Sequence, residues 1–335
     1  MGGAVSRYAR LLARVLADPT LAAGLDDAAW TGMLTVAVAE RLAGTLAERL
    51  ADVAVPAAVT GWMVNAARQA EMERASALWE AEMARRALAS LGVPVVLLKG
   101  TAYVAAGLAA GRGRFIGDLD ILVRRSDLPV VEAALLAAGW EWVKPDPYDD
   151  AYYRRWMHEL PPLIHTTRDR MIDVHHTILP PTARPTPDAA LLMADSVALA
   201  DGLRVLGPQD RIVHAAAHLF ADGDLAGGLR NLWDLHGLIR EAGCEGLMAR
   251  AERHGLGPAV TRAGRLAHAL YGTDVPKAWR RLTLADRVYR RRLLAVDGWG
   301  RDVRPVTRLL FYVRSHWLRM PPLMLARHLW VKMRR

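Results

Sequence analysis

Two aspartates that lie two residues apart are the clearest candidates for chemistry in this sequence. Asp118 and Asp120 belong to the apolar segment 117–123, whose composition is typical of a buried strand. Side chains alternate between the two faces of a strand, so both carboxylates project to the same side. They repel each other unless a cation lies between them, and Mg²⁺ bound together with substrate phosphates is the usual arrangement. A solvated pair of aspartates at the start of a strand is the alternative interpretation.

A third aspartate lies in a second apolar segment further along the chain. Asp173 is flanked by Ile172 and Val174, and an ionised side chain is costly to bury in a central strand without a partner. If this strand lies beside the one that carries Asp118 and Asp120, three carboxylates converge. Such a triad can hold two metal ions, one that activates an attacking hydroxyl and one that stabilises a leaving pyrophosphate. Asp173 is then the ligand or general base nearest the nucleophile, whereas an exposed aspartate on an edge strand is the alternative.

A turn with the composition of a phosphate site precedes the aspartates. The apolar segment 95–98 predicts a strand that stops at Lys99 and Gly100, and a helix of small residues begins at Thr101. Gly100 lets the backbone approach a ligand closely, and the helix N-terminus offers free N–H groups to an anion. Lys99 would add a positive charge and Thr101 a hydroxyl, so the three residues are candidates for binding phosphate.

The elements that must position these residues follow from periodicity and from turn residues. Residues 62–91 contain neither Gly nor Pro and predict a long helix, and Ser126 is the expected cap of a helix that runs to residue 138. Residues 168–170 predict a hairpin turn, and the segment with Pro145 and Pro147 predicts a loop. Strands are predicted at 95–98, 119–123, 140–143, 163–167 and 171–177.

Together these elements predict an α+β fold with three regions. A small α/β core over residues 92–180 is flanked by helical regions over 1–91 and 181–335. Only helices are expected after the proline-rich segment 180–187. The chain of 335 residues is 52% hydrophobic, which is enough to build a sizeable core.

Composition also predicts the compartment. The single Cys244 cannot form an internal disulfide, which favours a reducing environment. The first residues carry arginines within their apolar stretch and do not resemble a secretory signal. No window approaches the roughly 20 uncharged apolar residues of a membrane span. A cytoplasmic protein is therefore expected.

The motifs in their order along the chain resemble a known family. The sequence reads Leu-Lys-Gly-Thr at 98–101, then Arg114, Gly-Asp-Leu-Asp-Ile-Leu-Val at 117–123 and Ile-Asp-Val-His at 172–175. This order resembles the bacterial uncharacterised nucleotidyltransferase family, which belongs to the DNA polymerase beta-like superfamily. The likeness covers roughly residues 92–240. It implies a minimal nucleotidyltransferase core with a mixed sheet, Mg²⁺ or Mn²⁺ as the metal, an NTP as co-substrate and transfer of a nucleotidyl group to an acceptor.

The resemblance also implies roles for particular residues. Gly100 and Thr101 stand where the superfamily's Gly-Ser turn holds the triphosphate, and Lys99, Arg114 and Gly117 are expected beside the nucleotide. The turn Lys-Gly-Thr departs from the stricter Gly-Gly-Ser or Gly-Ser signature of the superfamily. The metal ligands implied are the aspartates already singled out, at positions 118, 120 and 173.

A weaker likeness extends into the predicted helices downstream. His214 and His218 look like the family's His-rich helix, and Arg230 with Asp234 looks like its Arg…Asp helix. Both pairs have the i, i+4 spacing that puts two residues on one helix face. Core histidines and an ordinary helix ion pair are the alternatives to a role in the cleft, and the glutamate of an HExxH zinc motif is absent. His175 shares a strand face with Asp173 and is expected near the site.

The charge of the chain leaves its partners open. The net charge is +9, which suits phosphate-bearing ligands, nucleic acid or an anionic membrane surface. Residues 304–335 alternate Arg, Lys and His with Leu, Trp and Met. They predict a peripheral membrane contact, a surface for an acidic acceptor, or a terminal helix packed on its own domain. No separate nucleic-acid-binding motif is found.

Three functions remain in competition at this point. The first is nucleotidyl transfer to a small molecule, peptide or saccharide, as in bacterial biosynthesis. The second is a glycosyltransferase that uses Asp118 and Asp120 to bind a nucleotide sugar, but its motif normally follows a larger nucleotide-binding unit and leaves Asp173 without a task. The third is a catalytically silent nucleotide-binding or toxin–antitoxin module, which has no reason to keep three converging carboxylates.

Overall fold

One mixed sheet of seven strands carries the candidate residues in the computed structural model, which describes residues 7–143 and 146–319. The strands cross the sheet in the order β3-β4-β5-β2-β1-β7-β6. Two neighbouring pairs, β2 with β5 and β1 with β7, run parallel, and the other neighbours run antiparallel. The strands are β1 (Val96–Leu97), β2 (Leu119–Leu122), β3 (Trp140–Trp142), β4 (Leu163–His165), β5 (Met171–His175), β6 (Val197–Ala198) and β7 (Arg204–Val205).

Helices precede and follow the sheet, so the predicted α+β class is confirmed. They are α1 (Arg7–Ala17), α2 (Asp27–Ala39), α3 (Ala43–Arg49), α4 (Ala57–Leu88), α5 (Lys99–Ala105), α6 (Leu128–Ala137), α7 (Pro147–Trp156), α8 (Ala189–Ala194), α9 (Pro208–Ala217), α10 (Gly228–Ala242), α11 (Leu247–Arg253), α12 (Gly257–Tyr271), α13 (Leu284–Leu293) and α14 (Pro305–Arg319).

Strand β2 is the centre of the sheet and the best-protected strand of the site. All four of its residues are buried, because β5 and β1 cover its two edges and helices α4 and α5 pack against it. Leu119, Ile121 and Leu122 supply the apolar side chains that stabilise this position. The strand therefore holds Asp120 in a fixed and largely water-free environment.

The long helix α4 ties the β4–β5 hairpin to the rest of the fold. It spans 32 residues, starts before the predicted position and ends close to it. Glu80 accepts hydrogen bonds from Arg168 at 2.7 Å, and Glu73 accepts from Arg170 at 3.1 Å. Both arginines belong to the turn that the sequence predicts at 168–170. Asp169 between them has φ 53°, a left-handed conformation that Asp adopts more readily than most residues.

Two local predictions between the strands are wrong. The segment after Pro145 was expected to be a loop, but Pro147 begins helix α7, because proline suits the first helical position and Asp146 Oδ1 accepts from the N–H of Tyr148 at 2.9 Å. Ser126 does not cap α6. Its hydroxyl donates to Asp127 Oδ1 at 3.0 Å inside a 3₁₀ turn, and the α-helix starts at Leu128.

The expectation of helices alone after residue 187 is also wrong. Strands β6 and β7 extend the sheet, and Val205 of β7 pairs with Leu97 of β1. Each strand has only two residues, which is too short to show the alternation on which strand prediction depends. The domain boundaries predicted at residues 91 and 180 stay a prediction, and the sheet itself continues past the second of them.

The C-terminal helices α9, α10 and α12 pack on one another and supply one side of the site. The last described helix, α14, exposes Val306, Leu309 and Leu310 and buries Phe311. The part of the predicted basic surface at 320–335 lies outside the described residues. Among the described helices, none combines the length and the apolar character needed to cross a membrane.

Candidate active site

Asp120 and Asp173 lie opposite each other on the adjacent parallel strands β2 and β5. Residues paired across neighbouring strands project to the same face of the sheet, so their carboxylates meet. Ligand atoms of these two aspartates and of His175 lie within 4.8 Å of one another. Asp118 directly precedes β2 and is exposed. The register of the two strands thus brings Asp120 and Asp173 together, whereas Asp118 is not part of this group of ligand atoms.

Lys99 and the ring of His175 hold the buried carboxylate of Asp120. The ammonium of Lys99 donates to Oδ1 at 2.6 Å, and His175 Nε2 lies 2.9 Å from the same oxygen. Burial raises the pKa of Asp120, but Lys99 and His175 outweigh this effect and hold the pKa far below its usual range. Burial likewise lowers the pKa of Lys99, and the charges of Asp120, Asp118 and Asp173 reverse the shift. Asp120 is therefore ionised and Lys99 charged.

Asp173 has the opposite electrostatic environment. Burial, the charge of Asp120 and the charge of Glu159 together raise its pKa to about 7. Its Oδ1 is buried and has no hydrogen-bond donor. Buried carboxylate oxygens normally have a partner, and a cation bound between the two aspartates would supply one. The carboxylate oxygens of Asp120 and Asp173 fit a hard divalent ion.

The predicted phosphate turn lies directly against these carboxylates. The N–H of Leu98 donates to the carbonyl of Asp120 at 2.9 Å, which fixes the turn beside β2. Lys99 has φ 49°, an unusual conformation for a residue other than glycine. Gly100 packs under an arginine, since a Cβ built on it would lie 2.0 Å from Arg114 Nη1. Thr101 is fully buried, and its hydroxyl has no hydrogen-bond partner.

Arg114 joins the turn to helix α10 through a buried ion-pair network. Its Nε donates to Asp234 Oδ2 at 3.0 Å, and Arg230 Nη1 donates to the other oxygen of Asp234 at 3.1 Å. Nη2 of Arg230 is buried without a partner. Burial lowers the pKa of Arg114, but the charge of Asp234 outweighs this and raises it. The helix pair predicted at i, i+4 is thus one part of a three-residue network.

Lys99 and Arg114 both line a small pocket, and the ring of Tyr103 lies 5.6 Å from the guanidinium carbon of Arg114. The predicted His214 and His218 form part of its wall. Burial, followed by the nearby charge of Lys99, lowers the pKa of His214 well below its usual value, so its ring is neutral.

Carboxylates from two strands, a lysine that contacts one of them and an arginine on the pocket beside that lysine have the composition of a site for metal and phosphate. The chain matches the protein family described as "Uncharacterised nucleotidyltransferase" over residues 26–272. It belongs to this family. The sequence-based resemblance is confirmed, and the match extends to the N-terminal helices α2 to α4, beyond the range from which the resemblance was drawn.

The crystal structure of JHP933 from Helicobacter pylori is similar at 14% sequence identity and a TM-score of 0.34, with 78% of this chain and 98% of that chain covered. No curated protein matches the chain.

Most of the predicted site residues do not line the small pocket, which includes Lys99, Arg114, His214, His218 and Asp234 among them. Gly117 and Asp118 line a second depression together with Arg170. Nη1 of Arg170 donates to the Gly117 carbonyl at 3.4 Å. Asp118 therefore lies where this depression meets the start of β2, and the predicted roles of Gly117 and Arg114 in nucleotide binding stay predictions.

Three residues around the candidate site were not predicted from the sequence, namely Tyr103, His158 and Glu159. Tyr103 is buried against Arg114, and burial, followed by the charge of Asp234, raises its pKa above the usual value. Glu159 Oε2 lies 3.3 Å from His175 Nδ1. His158 and Glu159 form no sequence motif with either aspartate, and their place near the site follows from the backbone pairing of Glu159 with His175.

Proposed function

We propose that this chain catalyses divalent-metal-dependent transfer of a nucleotidyl group from an NTP to an acceptor. The pairing of Asp120 with Asp173 across β2 and β5, with Asp118 at the start of β2, is the observation that carries the proposal. This arrangement provides oxygen ligands from two strands on one face of the sheet. Membership of the nucleotidyltransferase family supports the same reaction class.

Each group in the site has a task in this reaction. Asp118, Asp120 and Asp173 would hold Mg²⁺ or Mn²⁺. When bound, such ions neutralise phosphate charge and favour ionisation of the attacking hydroxyl. Lys99 and Arg114, which both line the pocket, would bind the phosphates of the NTP. Asp173 would accept the proton of the acceptor hydroxyl at its carboxylate.

The bonds exchanged follow from the reaction class. The acceptor oxygen bonds to the α-phosphorus of the NTP, the bond from that phosphorus to the β-phosphate oxygen breaks, and pyrophosphate leaves. The acceptor is a small molecule, a peptide or a saccharide. We further propose a cytoplasmic location and contact of residues 304–335 with an anionic membrane or an acidic acceptor. The apolar residues that α14 exposes support such a surface.

Calorimetric titration with each NTP, with and without Mg²⁺, tests the proposal. We expect Mg²⁺-dependent binding to the wild-type chain and its loss in Asp118→Asn and Asp120→Asn. Asp118→Asn is the sharper variant, because Asp118 is exposed and its replacement leaves the core intact. Asp169→Asn is the matched control, since Asp169 is an exposed turn residue and Asn accepts its left-handed conformation.

Failure of every NTP to bind the folded wild-type chain would contradict the proposal. UDP-sugars would then be titrated, because a metal-dependent response to them would identify the glycosyltransferase alternative. Unchanged Mg²⁺-dependent NTP binding in both variants would also contradict the proposal, because it would show that these aspartates do not belong to the binding site.

A further inference from the structure

A second group of potential metal ligands lies on the other side of His175 from the carboxylates. Ligand atoms of His158, Glu159 and His175 lie within 4.8 Å of one another. The backbone holds them in place, because Glu159 forms an antiparallel bridge with His175 and the N–H of His176 donates to the His158 carbonyl at 2.9 Å. The three side chains therefore converge through strand pairing and do not depend on a long loop.

The two ring nitrogens of His175 face two carboxylates. Oδ1 of Asp120 accepts a hydrogen bond from His175 Nε2 at 2.9 Å, so this nitrogen carries a proton. In the neutral ring, Nδ1 is then a lone-pair acceptor, and it lies 3.3 Å from Oε2 of Glu159, which is also an acceptor. No hydrogen bond of good geometry joins them. Such a contact between two acceptors requires a cation or a second ring proton.

His158 supplies a third donor to the same position. Its ring is more than nine-tenths buried, its Nδ1 has no hydrogen-bond partner, and its Nε2 lies 3.8 Å from Glu159 Oε2. Ligands about 2.1 Å from one tetrahedral ion are about 3.4 Å apart. The separations of 3.3 Å and 3.8 Å to Glu159 are close to that value.

We propose that His158, Glu159 and His175 form a second metal site, for a transition-metal ion of the Zn²⁺ class. Two imidazole nitrogens and one carboxylate are a ligand set that Zn²⁺ and related ions prefer, whereas Mg²⁺ prefers oxygen alone. His175 then links the two sites, because it binds the ion through Nδ1 and donates through Nε2 to Asp120. A carboxylate that accepts from a metal-bound histidine is a common arrangement around metal ions. The ion positions Asp120 through this ring.

Cobalt binding to the full-length chain tests this site separately from nucleotide transfer. Chelator-treated protein is titrated with Co²⁺ in excess Mg²⁺, which occupies the oxygen site, and the visible absorption of protein-bound Co²⁺ is recorded. We expect one equivalent to bind the wild-type chain, and at least tenfold weaker binding to His158→Gln and Glu159→Gln. Zn²⁺ should displace the cobalt and abolish the absorption.

Two control variants keep the test specific. His176→Gln removes a neighbouring imidazole whose Nε2 lies 3.2 Å from the Met157 carbonyl, and Asp118→Asn removes a proposed oxygen-site ligand. Both should bind Co²⁺ as the wild-type chain does. Absence of Co²⁺ binding in the wild-type chain, or equal binding in His158→Gln and the controls, would overturn the proposal and identify His175 as a doubly protonated ring between two carboxylates. Neither result depends on whether an NTP binds.

Discussion

The ammonium nitrogen of Lys99 lies 2.6 Å from Oδ1 of Asp120, so the lysine of the predicted phosphate turn is a direct partner of a predicted metal ligand. The charge of Lys99 in this turn and the charges of the aspartates therefore stabilise one another. His175 contacts the same oxygen. This arrangement keeps Asp120 ionised.

Replacing Lys99 with methionine should lower the free energy of unfolding, because the buried charge of Asp120 loses its partner. Removing one partner of a buried ion pair typically costs about 3–5 kcal/mol, because the other charge is left uncompensated. We expect a loss of this order in chelator and a larger rise in melting temperature on Mg²⁺ addition than in the wild-type chain. Thermal unfolding with EDTA and with Mg²⁺ measures both effects. Lys277→Met, at an exposed position, should behave as the wild-type chain does.

The pKa of Asp173 predicts a specific pH dependence of stability in the absence of metal. The folded-state pKa is about 7, against about 3.9 for an unfolded aspartate. Between these values the folded chain binds more protons than the unfolded chain, so this group's contribution falls as pH rises to about 7 and is level above it. Asp173→Asn removes this effect.

The expected difference is measurable by urea unfolding of both chains in EDTA. Relative to Asp173→Asn, the wild-type chain should lose about 2–3 kcal/mol of unfolding free energy between pH 5 and pH 8, at about 1.4 kcal/mol per pH unit below the pKa. Asp169→Asn should instead follow the wild-type chain at both pH values. If the curves of the wild-type chain and Asp173→Asn run parallel, Asp173 has an ordinary pKa and is not the proposed base.

Gly100 should not tolerate a methyl group. An alanine Cβ would lie 2.0 Å from Arg114 Nη1, so the guanidinium must move and lose its place on Asp234. We expect at least tenfold weaker Mg²⁺·NTP binding in Gly100→Ala. The control is Gly61→Ala in α4, where a Cβ meets no atom within 4 Å and helix propensity favours alanine. Equal NTP affinity in the two variants would show that the position of Arg114 does not matter for binding.

The Arg114–Asp234 pair should show strong coupling in a double-mutant cycle. Arg114→Ala, Asp234→Asn and the double variant, measured by chemical unfolding, should give a coupling energy of about 1–3 kcal/mol, because both groups are buried. The exposed pair Arg74 and Glu71 on α4 should give no measurable coupling in the same experiment. A coupling energy no larger than that of the exposed pair would show that the network does not stabilise the site.

The sequence predicts best those site residues that lie in strands. The apolar segments around Asp120 and Asp173 are unmistakable, and alternation fixes which face each carboxylate occupies. What the sequence leaves open is which strands are neighbours, and the parallel register of β2 and β5 supplies that. His175 lies close to the site for the same reason.

Contacts between residues far apart in sequence account for what was missed. Arg114 and Asp234 are brought together by the packing of α10 beside the turn at 109–111, and no local pattern contains both residues. Glu159 lies opposite His175 through a single isolated bridge. The helix at 147–156 was read as a loop because prolines and tyrosines hide its periodicity, although Pro147 is well placed at its start.

The pairing of β1 with β7 means that the candidate site does not lie in a self-contained unit of residues 92–180. A fragment limited to residues 92–180 would lack Arg204 and Val205, and the backbone N–H and C=O groups on one side of Val96 and Leu97 would lose their partners. An open strand edge of this kind recruits strands from other molecules. Excision at the predicted boundary would therefore yield a self-associating fragment.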